Sequence, residues 1–319
     1  MRRSLLAAAA LLLLVGACGK SAPPASKPKA PVARVAVGAG PVGIAATTDG
    51  DVWVVLADDD KVVRIGAGGT KPTAEVPVPG TPLRVTSAED GASLWVTAFR
   101  AGEVARVDTS TLKVTDRLAV GAGAEGVAEA FGSVWVVAQD DGLLVQVDPV
   151  RRKVVRKVDV GVGVRLVVPG PDALWLDDHV AGAVVRVDPK TFQVVRSEHL
   201  CDGPEDLVAG SETVWVTCSA GNELVALGAG DLQVTRRIRL GGTPDAITAA
   251  PDGSLLAVLQ DGPTLVRLDA SSGKELSRTR LAGYKQLYDR SNLDLVVTGQ
   301  DAWVTSFVGG SVFRTPWRR

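Results

Sequence analysis

The chain has 319 residues, of which 46% are hydrophobic, and its 35 Lys and Arg nearly balance 36 Asp and Glu, giving a formal charge of -1. Nucleic-acid binding requires a concentrated basic surface, which this near-neutral composition does not provide. The composition likewise offers no basic patch for anionic lipids. We therefore predict neither a nucleic-acid partner nor purely electrostatic membrane binding.

Residues 1–17 have the features of an export signal. Arg2 and Arg3 precede an apolar run from Leu5 to Val15, which is too short to cross a membrane as a helix. The segment Val15-Gly16-Ala17-Cys18 resembles a bacterial lipobox, and this resemblance implies that Cys18 is acylated and becomes the N-terminus. The alternative is an ordinary secretion signal with an incidental Cys. The lipobox predicts an exported protein, anchored by lipid at the cell membrane or outer membrane and facing the periplasm or the exterior.

The composition changes after the signal. Residues 18–31 are rich in Pro, Ala, Ser and Lys, which favour an extended, solvated tether and do not form a core. Residues 32–319 are long for one compact domain but suit a closed all-β ring. The predicted organisation is a signal peptide, a lipid-anchored flexible tether and one folded domain.

A repeat of about 40 residues organises this domain. Its marker is a Trp within an apolar segment, and successive markers lie 42, 40, 40 and 40 residues apart, at Trp53, Trp95, Trp135, Trp175 and Trp215. The next marker position holds Leu255-Leu256, and a late one holds Trp303. The third unit has strand-like segments at 126–130, 133–138, 143–148 and 153–160. Four strands in each unit are typical of a β-propeller, so we predict an all-β fold with seven four-stranded antiparallel blades.

The last blade lacks a fourth strand at its C-terminal side, because the chain ends soon after the segment Ser311 to Thr315. Residues 34–38 (Arg-Val-Ala-Val-Gly) are similar to the fourth-strand endings at 117–121 and 157–161. We therefore predict that residues 32–38 complete the last blade and close the ring, which removes its open sheet edges.

Two cysteines remain once Cys18 is assigned to the lipid. Cys201 and Cys218 fall near one end of the same predicted blade, on neighbouring strands. In an exported protein two such thiols usually form a disulfide. Two buried free thiols, or a metal or redox role, are the alternatives.

The repeat contains the pattern Gly-x-Pro-x-x-Ile/Val, then Asp-Gly, then x-Trp-Val, at 40–44 with 49–54 and again at 242–247 with 252–253. This pattern resembles YVTN-type and NHL-type propeller lipoproteins and, more distantly, the streptogramin (virginiamycin B) lyases. The lyase resemblance implies a His general base and a Mg²⁺ held by acidic side chains over the channel. Those enzymes carry their His late in the chain, and the last two blades predicted here contain none. No lyase site residue is therefore transferred to this sequence.

The repeat also predicts where a ligand would bind. The loops that enter each first strand share one face with the loops between second and third strands, and such loops are the variable part of a propeller. The position after the repeat's Pro is charged in four units, near the mouth of the central channel. With two neighbouring positions, this gives six candidate binding residues: Arg84, Glu125, Arg165, Glu205, Asp206 and Asp245. They could orient a polar ligand, or they could pair with one another and with channel water.

Three further candidates lie in loops on the same face. His179 follows Asp177 and Asp178 between the second and third strands of blade 4, where it could act as a base or ligand or be a plain surface residue. An insertion at 284–292 in blade 7 contains the only two tyrosines of the sequence, Tyr284 and Tyr288, which could contact a ligand or partner. It could equally be an irregular first strand.

Acidic residues are frequent in the loops between second and third strands, at 58–60, 140–141, 177–178 and 261. None follows the spacing of a calcium-binding loop, so a solvated rim is expected and no metal site is assigned. The sequence also lacks a phosphate-binding loop, a nucleophile elbow and zinc-ligand spacing. We assign no catalytic residue and no cofactor.

These features predict a lipid-anchored, extracytoplasmic propeller that binds a protein, a peptide or a cell-envelope ligand through the loop face around its channel. The alternative is a metal-dependent lyase or hydrolase of the streptogramin-lyase type that uses the same mouth. A purely structural envelope protein is a third possibility.

Overall fold

The computed structural model describes residues 32–283 and 293–318, which form 28 strands in seven sheets. Each sheet has four antiparallel strands, and the sheets are arranged as the blades of a propeller. The all-β, seven-bladed prediction is therefore confirmed. Within these two ranges, no helix has the length and apolar character needed to cross a membrane.

The first strand of the chain belongs to the last blade, and the other blades follow in chain order. Blade 7 contains β1 (Ala33–Ala36), β26 (Leu295–Thr298), β27 (Asp301–Ser306) and β28 (Ser311–Pro316). Blades 1 and 2 contain β2 (Pro41–Ala46), β3 (Val52–Leu56), β4 (Lys61–Ile65), β5 (Ala74–Pro77), β6 (Pro82–Ser87), β7 (Ser93–Ala98), β8 (Glu103–Asp108) and β9 (Lys113–Ala119). Blades 3 and 4 contain β10 (Ala124–Ala130), β11 (Ser133–Ala138), β12 (Leu143–Asp148), β13 (Lys153–Asp159), β14 (Val164–Pro169), β15 (Leu174–Asp178), β16 (Ala183–Val187) and β17 (Val194–Arg196). Blades 5 and 6 contain β18 (Pro204–Ala209), β19 (Thr213–Cys218), β20 (Glu223–Gly228), β21 (Val234–Arg239), β22 (Pro244–Ala249), β23 (Leu255–Leu259), β24 (Thr264–Leu268) and β25 (Glu275–Arg280).

The first strand of each blade faces the central channel. Each of these strands contacts the first strand of the blade before it and of the blade after it, in the circular order β2, β6, β10, β14, β18, β22 and β26. Two of these approaches require glycine. A Cβ on Gly43 would lie 2.6 Å from the Leu83 carbonyl oxygen, and a Cβ on Gly126 would lie 2.6 Å from that of Arg165. Glycine at these positions lets adjacent inner strands pack backbone against backbone.

The second strand of each blade is buried on both sides, because neighbouring blades cover both of its faces. Its Trp lies opposite an Arg of the third strand in four blades, in the pairs Trp53–Arg64, Trp95–Arg106, Trp175–Arg186 and Trp303–Arg314. In each pair the guanidinium lies 5.4 to 5.8 Å from the indole centroid. The same Arg forms an ion pair with an Asp near the turn between the first and second strands, such as Arg186 with Asp172 at 3.0 Å. The repeated Trp is thus one part of a Trp–Arg–Asp unit that also fixes the third strand.

Arginines of the fourth strands connect neighbouring blades at the outer rim. Arg237 of blade 5 donates to the Leu200 carbonyl oxygen at 2.7 Å, and Arg278 of blade 6 donates to that of Leu240 at 2.6 Å. Each bond reaches the chain segment that leaves the preceding blade. The rim is therefore cross-linked in the same direction around the ring.

The ring closes between the two ends of the described chain. Strand β1 pairs antiparallel with β28, and Ala33 lies opposite Arg314 while Ala36 lies opposite Ser311. Val35 is 1% exposed, and the Val37 N–H donates to the Gly310 carbonyl oxygen at 3.1 Å. The predicted closure by residues 32–38 is confirmed.

Removing residues 32–38 should destabilise the domain, because the buried Val35 side chain is lost and β28 becomes an unprotected edge. Burial of one valine contributes about 1.5 to 3 kcal/mol, and an open edge promotes pairing between molecules. Calorimetry should show a lower melting temperature, and light scattering should show aggregation that depends on concentration. Removal of residues 19–31 is the matched control and should leave both readings unchanged. Equal melting temperatures for the two deletions would contradict this account of closure.

Candidate functional site

The candidate site lies at one end of the central channel, where the first strands begin. Six of these strands contain a β-bulge immediately after their first residue, at which the register with the second strand shifts. A bulge interrupts the ladder of backbone hydrogen bonds, so the released N–H groups need other acceptors. Side chains at the mouth supply several of them. The bulges at the start of the first strands therefore create backbone N–H groups that need hydrogen-bond acceptors, in the same segments that carry the charged residues.

A chain of alternating charges crosses this mouth. Arg165 contacts Glu125 at 3.2 Å and Glu205 at 2.9 Å. Arg84 lies 3.9 Å from Glu125, and His179 Nδ1 lies 3.8 Å from Glu205 Oε1. The structure thus brings together five of the predicted binding residues, which come from blades 2 to 5. Burial opposes the charge of Arg165, but the surrounding carboxylates raise its pKa, so it stays a cation.

The two predicted aspartates of this region accept backbone hydrogen bonds. The Asp206 carboxylate accepts from the Leu207 and Ile247 N–H groups at 2.7 and 2.9 Å, and Asp245 Oδ2 accepts from the Leu293 N–H at 2.9 Å. Two of these bonds join neighbouring blades. The carboxylates therefore hold the ring together as well as giving the mouth its charge.

Asp294 belongs to the site, although it is not among the residues predicted from the sequence. Its carboxylate accepts from the Leu295 N–H at 2.8 Å and from the Ile44 N–H of blade 1 at 3.1 Å, and it lies 3.7 Å from Arg84. The missed signal is the Asp-Leu pair at 294–295, which matches Asp206-Leu207 of blade 5. The insertion at 284–292 shifts blade 7 out of the spacing of about 40 residues. The 40-residue repeat alone therefore does not align Asp294 with Asp206.

Asp177 and Asp178 are not loop residues, and the prediction that placed them in a solvated rim is wrong. Both belong to β15 and are buried, at 0% and 2% exposure. Asp178 pairs with Arg196 and accepts from the Ala181 N–H at 2.8 Å. Asp177 Oδ1 accepts from the Leu166 N–H at 2.6 Å, which is a donor released by the bulge of blade 4. These bonds compensate for burying two carboxyl groups.

Asp177 occupies a position that holds threonine in blades 2, 5 and 7. The Thr97 hydroxyl accepts from the Arg84 N–H at 3.0 Å and donates to the Glu125 carbonyl oxygen of the next blade at 2.7 Å. Thr217 makes the same two bonds in blade 5. In Asp177, Oδ1 accepts the hydrogen bond from the Leu166 N–H. The other oxygen, Oδ2, is buried and has no hydrogen-bond partner among the described residues. A carbonyl oxygen of the kind that the Thr97 and Thr217 hydroxyls reach accepts a hydrogen bond from a carboxyl group only when that group is protonated.

The electrostatics of the mouth agree with this assignment. Burial raises the pKa of Asp177 to about 7, against the influence of Arg165. Burial, followed by the Glu205 charge, raises the pKa of Asp245 to about 7. Burial also raises the pKa of Asp206 well above its ordinary value and raises that of Asp294. Desolvation of several carboxyl groups in one place makes the mouth sensitive to pH near neutrality.

Four of the other acidic loop residues accept backbone hydrogen bonds. Three of them each accept from an N–H that leads into the first strand of their own blade, in the pairs Asp59–Ala39, Asp141–Ala122 and Asp261–Thr243, each at 2.9 Å. Asp60 accepts from the Gly80 and Thr81 N–H groups of the next blade. Across 32–283 and 293–318, no group of three or more His, Cys, Asp or Glu is arranged to hold a metal ion.

The predicted disulfide is confirmed. Cys201 and Cys218 are bonded and both buried, with their Cα atoms 6.1 Å apart. The bond joins the loop that enters β18 to the end of β19, close to Glu205. It therefore fixes the part of blade 5 that carries two of the candidate residues.

Tyr284, Tyr288 and Cys18 lie outside the described residues, and their predicted roles stay predictions.

The fold and the mouth together define a seven-bladed β-propeller with a charged, partly buried site at one end of its channel.

Comparison with protein-family models and with curated proteins finds no match. Among solved structures, a streptogramin B lyase superposes with a TM-score of 0.75 at 14% identity, over 89% of this chain and 96% of that one. Virginiamycin B lyase from Staphylococcus aureus gives 0.74 at 17% identity, over 89% and 98% of the two chains. Hydrazine synthase from Kuenenia stuttgartiensis gives 0.76 at 18% identity, over 88% and 96%.

Identities of 14 to 18% establish a shared fold and nothing about activity. The resemblance to lyase propellers seen in the sequence is confirmed at the level of architecture. Any function has to be argued from the residues at the mouth.

Replacing Asp177 by threonine should remove a pH-dependent destabilisation. The folded-state pKa of about 7 lies above the ordinary value of 3.8, so the native state holds this proton more tightly than the unfolded chain. The stabilisation is complete below pH 3.8 and is lost as the pH rises through 7. Each pH unit in this window costs at most about 1.4 kcal/mol for one group.

Urea unfolding at several pH values between about 5 and 8 measures this effect. The wild-type protein should lose free energy of unfolding relative to Asp177→Thr as the pH rises, with the variant at least as stable at the upper end. Parallel pH curves for the two proteins would show that Asp177 is not a buried acid of raised pKa.

Proposed function

We propose that the protein is a lipid-anchored, extracytoplasmic propeller that binds a ligand or partner protein through the loop face around its channel mouth. One observation carries the proposal. The mouth concentrates ionisable side chains that are partly accessible and face one another across several blades, as in the contacts of Arg165 with Glu125 and Glu205. The side chain of Arg165 is 18% exposed and that of His179 is 32% exposed. A ligand can therefore reach groups whose positions are already fixed.

The scaffold behind these groups supports a binding role. Ion pairs in a partly desolvated mouth are positioned by backbone hydrogen bonds and by the nearby disulfide, so they require little reorganisation when a ligand arrives. A rigid frame with fixed charges favours recognition of a polar or charged partner. The lipid anchor rests on the lipobox-like segment that ends at Cys18, and the exported location also suits the disulfide.

Neutral variants at the mouth test the binding function. Glu205→Gln removes one charge and keeps the shape of the side chain, and Arg165→Gln removes one charge with a shorter side chain. Arg151→Gln makes the same change as Arg165→Gln in an outer turn, where the side chain is 72% exposed. Immobilised proteins should be compared on the same envelope extract by quantitative mass spectrometry. A partner held by wild type and by Arg151→Gln should be depleted at least about tenfold with either mouth variant, the cost of one charged hydrogen bond. Equal recovery on all four proteins would contradict binding through the mouth.

The anchor has a separate test. Cys18→Ala should shift the protein from the membrane fraction to the soluble exported fraction and abolish incorporation of labelled fatty acid. Unchanged membrane association with no label in either protein would rule out the lipid.

A second function uses the same residues for chemistry. His179 Nδ1 lies 3.0 Å from the Pro204 carbonyl oxygen, and since a carbonyl only accepts, Nδ1 is the donor of this hydrogen bond. An imidazole whose Nε2 is unprotonated is able to act as a general base. The solved virginiamycin B lyases include a catalytically inactive variant with quinupristin, which makes that compound a practical probe. Quinupristin incubated with the protein and Mg²⁺ should yield no new product by chromatography, and a product abolished by His179→Ala would favour a lyase.

A further inference from the structure

Blade 5 departs from the Trp–Arg–Asp unit of the other blades. In blade 4 this unit consists of Trp175, Arg186 and Asp172. The positions 40 residues later hold Trp215, Ala226 and Glu212. The strand register agrees with this alignment, because Ala226 lies opposite Trp215. Blade 5 therefore keeps the aromatic ring and an acid, and lacks the arginine between them.

The fold retains this arginine contact even where the Trp of the second strand is missing. In blade 6 the second strand holds Leu256 opposite Arg267. Arg267 lies 5.5 Å from the indole centroid of Trp317, which follows the last strand, and pairs with Asp252 at 2.6 Å. An arginine between an indole and a carboxylate is therefore a stable arrangement in five of the blades.

Blade 3 also lacks the arginine but does not offer a comparable site. Gln146 lies opposite Trp135 and donates to the Ser133 hydroxyl at 2.9 Å. Phe192 of the next blade packs on the same indole, with ring centroids 6.2 Å apart. The position that aligns with Glu212 holds Gly132, so this indole has no acid beside it.

The arginine is missing over Trp215, and an open groove with a volume of about 400 Å³ lies there between blades 5 and 6. Blade 5 lines the groove with Val208, Glu212 and Trp215, and blade 6 lines it with Leu255 and Ala270. Trp215 is the most exposed of the seven tryptophans, at 6%. The turns around this groove are those between first and second strands and between third and fourth strands. It therefore lies at the end of the blades opposite the channel mouth.

Glu212 has no cationic partner. Its side chain is exposed, and no described Lys, Arg or His lies within ion-pair distance of it. Arg236 is at the edge of the groove, where its Nη1 donates to the Ser271 carbonyl oxygen at 2.6 Å. Its guanidinium neither stacks on Trp215 nor pairs with Glu212. The groove thus contains an indole without a stacked cation and a carboxylate without a counter-ion.

We propose that this groove binds an arginine side chain of a partner protein, with its guanidinium stacked on Trp215 and hydrogen-bonded to Glu212. A planar guanidinium fits, because the ring holds five of its own arginines against indoles in this way. The aliphatic part of the ligand side chain packs on the apolar wall of Val208 and Leu255. The groove is open to solvent along the turns of both blades, so the main chain that carries the arginine stays outside it. This site is independent of the binding proposed at the channel mouth.

An NMR titration of the full-length chain with the peptide acetyl-Gly-Arg-Gly-amide tests the proposal. The reporter is the indole N–H signal of Trp215, which the variant Trp215→Phe assigns. The arginine peptide should bind saturably. The same peptide with citrulline keeps the planar end group without its charge, and should bind at least about tenfold more weakly. The lysine peptide should also bind more weakly, because an ammonium group lacks the planar fork of donors.

Two variants act on the groove itself. Glu212→Gln removes the carboxylate from an exposed turn, so the protein should fold, and should weaken peptide binding at least about tenfold. Ala226→Arg supplies a guanidinium from the protein, as Arg186 does in blade 4, and should abolish binding. Glu198→Gln makes the same change as Glu212→Gln at an exposed position outside the groove, and should bind as wild type does. Melting curves verify that each variant is folded.

Three results would overturn the inference. They are equal binding of the citrulline peptide, an affinity unchanged by Glu212→Gln, and binding that appears only in Arg236→Gln, which would mean that Arg236 fills the groove itself. None of these variants changes a residue at the mouth, so the partner-capture experiment remains a separate test of the proposed function.

Discussion

The whole structure depends on burying both faces of every blade. A four-stranded sheet whose second strand is as apolar as Val52–Leu56 is stable only when another sheet covers each side, and a ring satisfies this for all seven sheets at once. The ring has to close, and β1 closes it by pairing with β28. Contact between the first and last parts of the domain is therefore the condition under which the other six blades reach their packed state.

The same requirement shapes the channel mouth. Inner strands converge there so closely that Gly43 and Gly126 leave no room for a side chain, and bulges release backbone N–H groups. Threonine hydroxyls and aspartate carboxylates accept hydrogen bonds from such N–H groups, and three aspartates, Asp206, Asp245 and Asp294, accept from the next blade. Charged residues at the mouth thus satisfy the backbone of the ring and set the electrostatic environment of the channel mouth. The same carboxylate can therefore both accept a backbone hydrogen bond and contribute charge to the mouth.

Much of the fold could be predicted from the sequence, because each blade packs in the same way and its residues recur at a fixed interval. The Trp spacing shows this interval, and the similarity of residues 34–38 to the fourth strands of other blades predicts how the ring closes. The six mouth residues followed from the same repeat. Asp294 does not follow from it, since an insertion before this residue disrupts the interval. The consecutive aspartates at 177–178 predict a solvent-exposed loop, and Asp177 is instead buried in β15. Its burial depends on a donor eleven residues earlier, the Leu166 N–H at 2.6 Å, which only the bulge exposes. Long-range pairing of this kind has no local signature.

The position of β1 has a mechanical consequence. This four-residue strand is the point where the folded ring meets the chain that leads towards the N-terminus, and it is held by one neighbouring strand, β28. A pulling force applied from that side reaches the β1–β28 seam before any other sheet. The ring would open there first, while the blades behind it, each continuous in sequence, would still be intact. The pairing that closes the ring is therefore also the contact that such a force would load first.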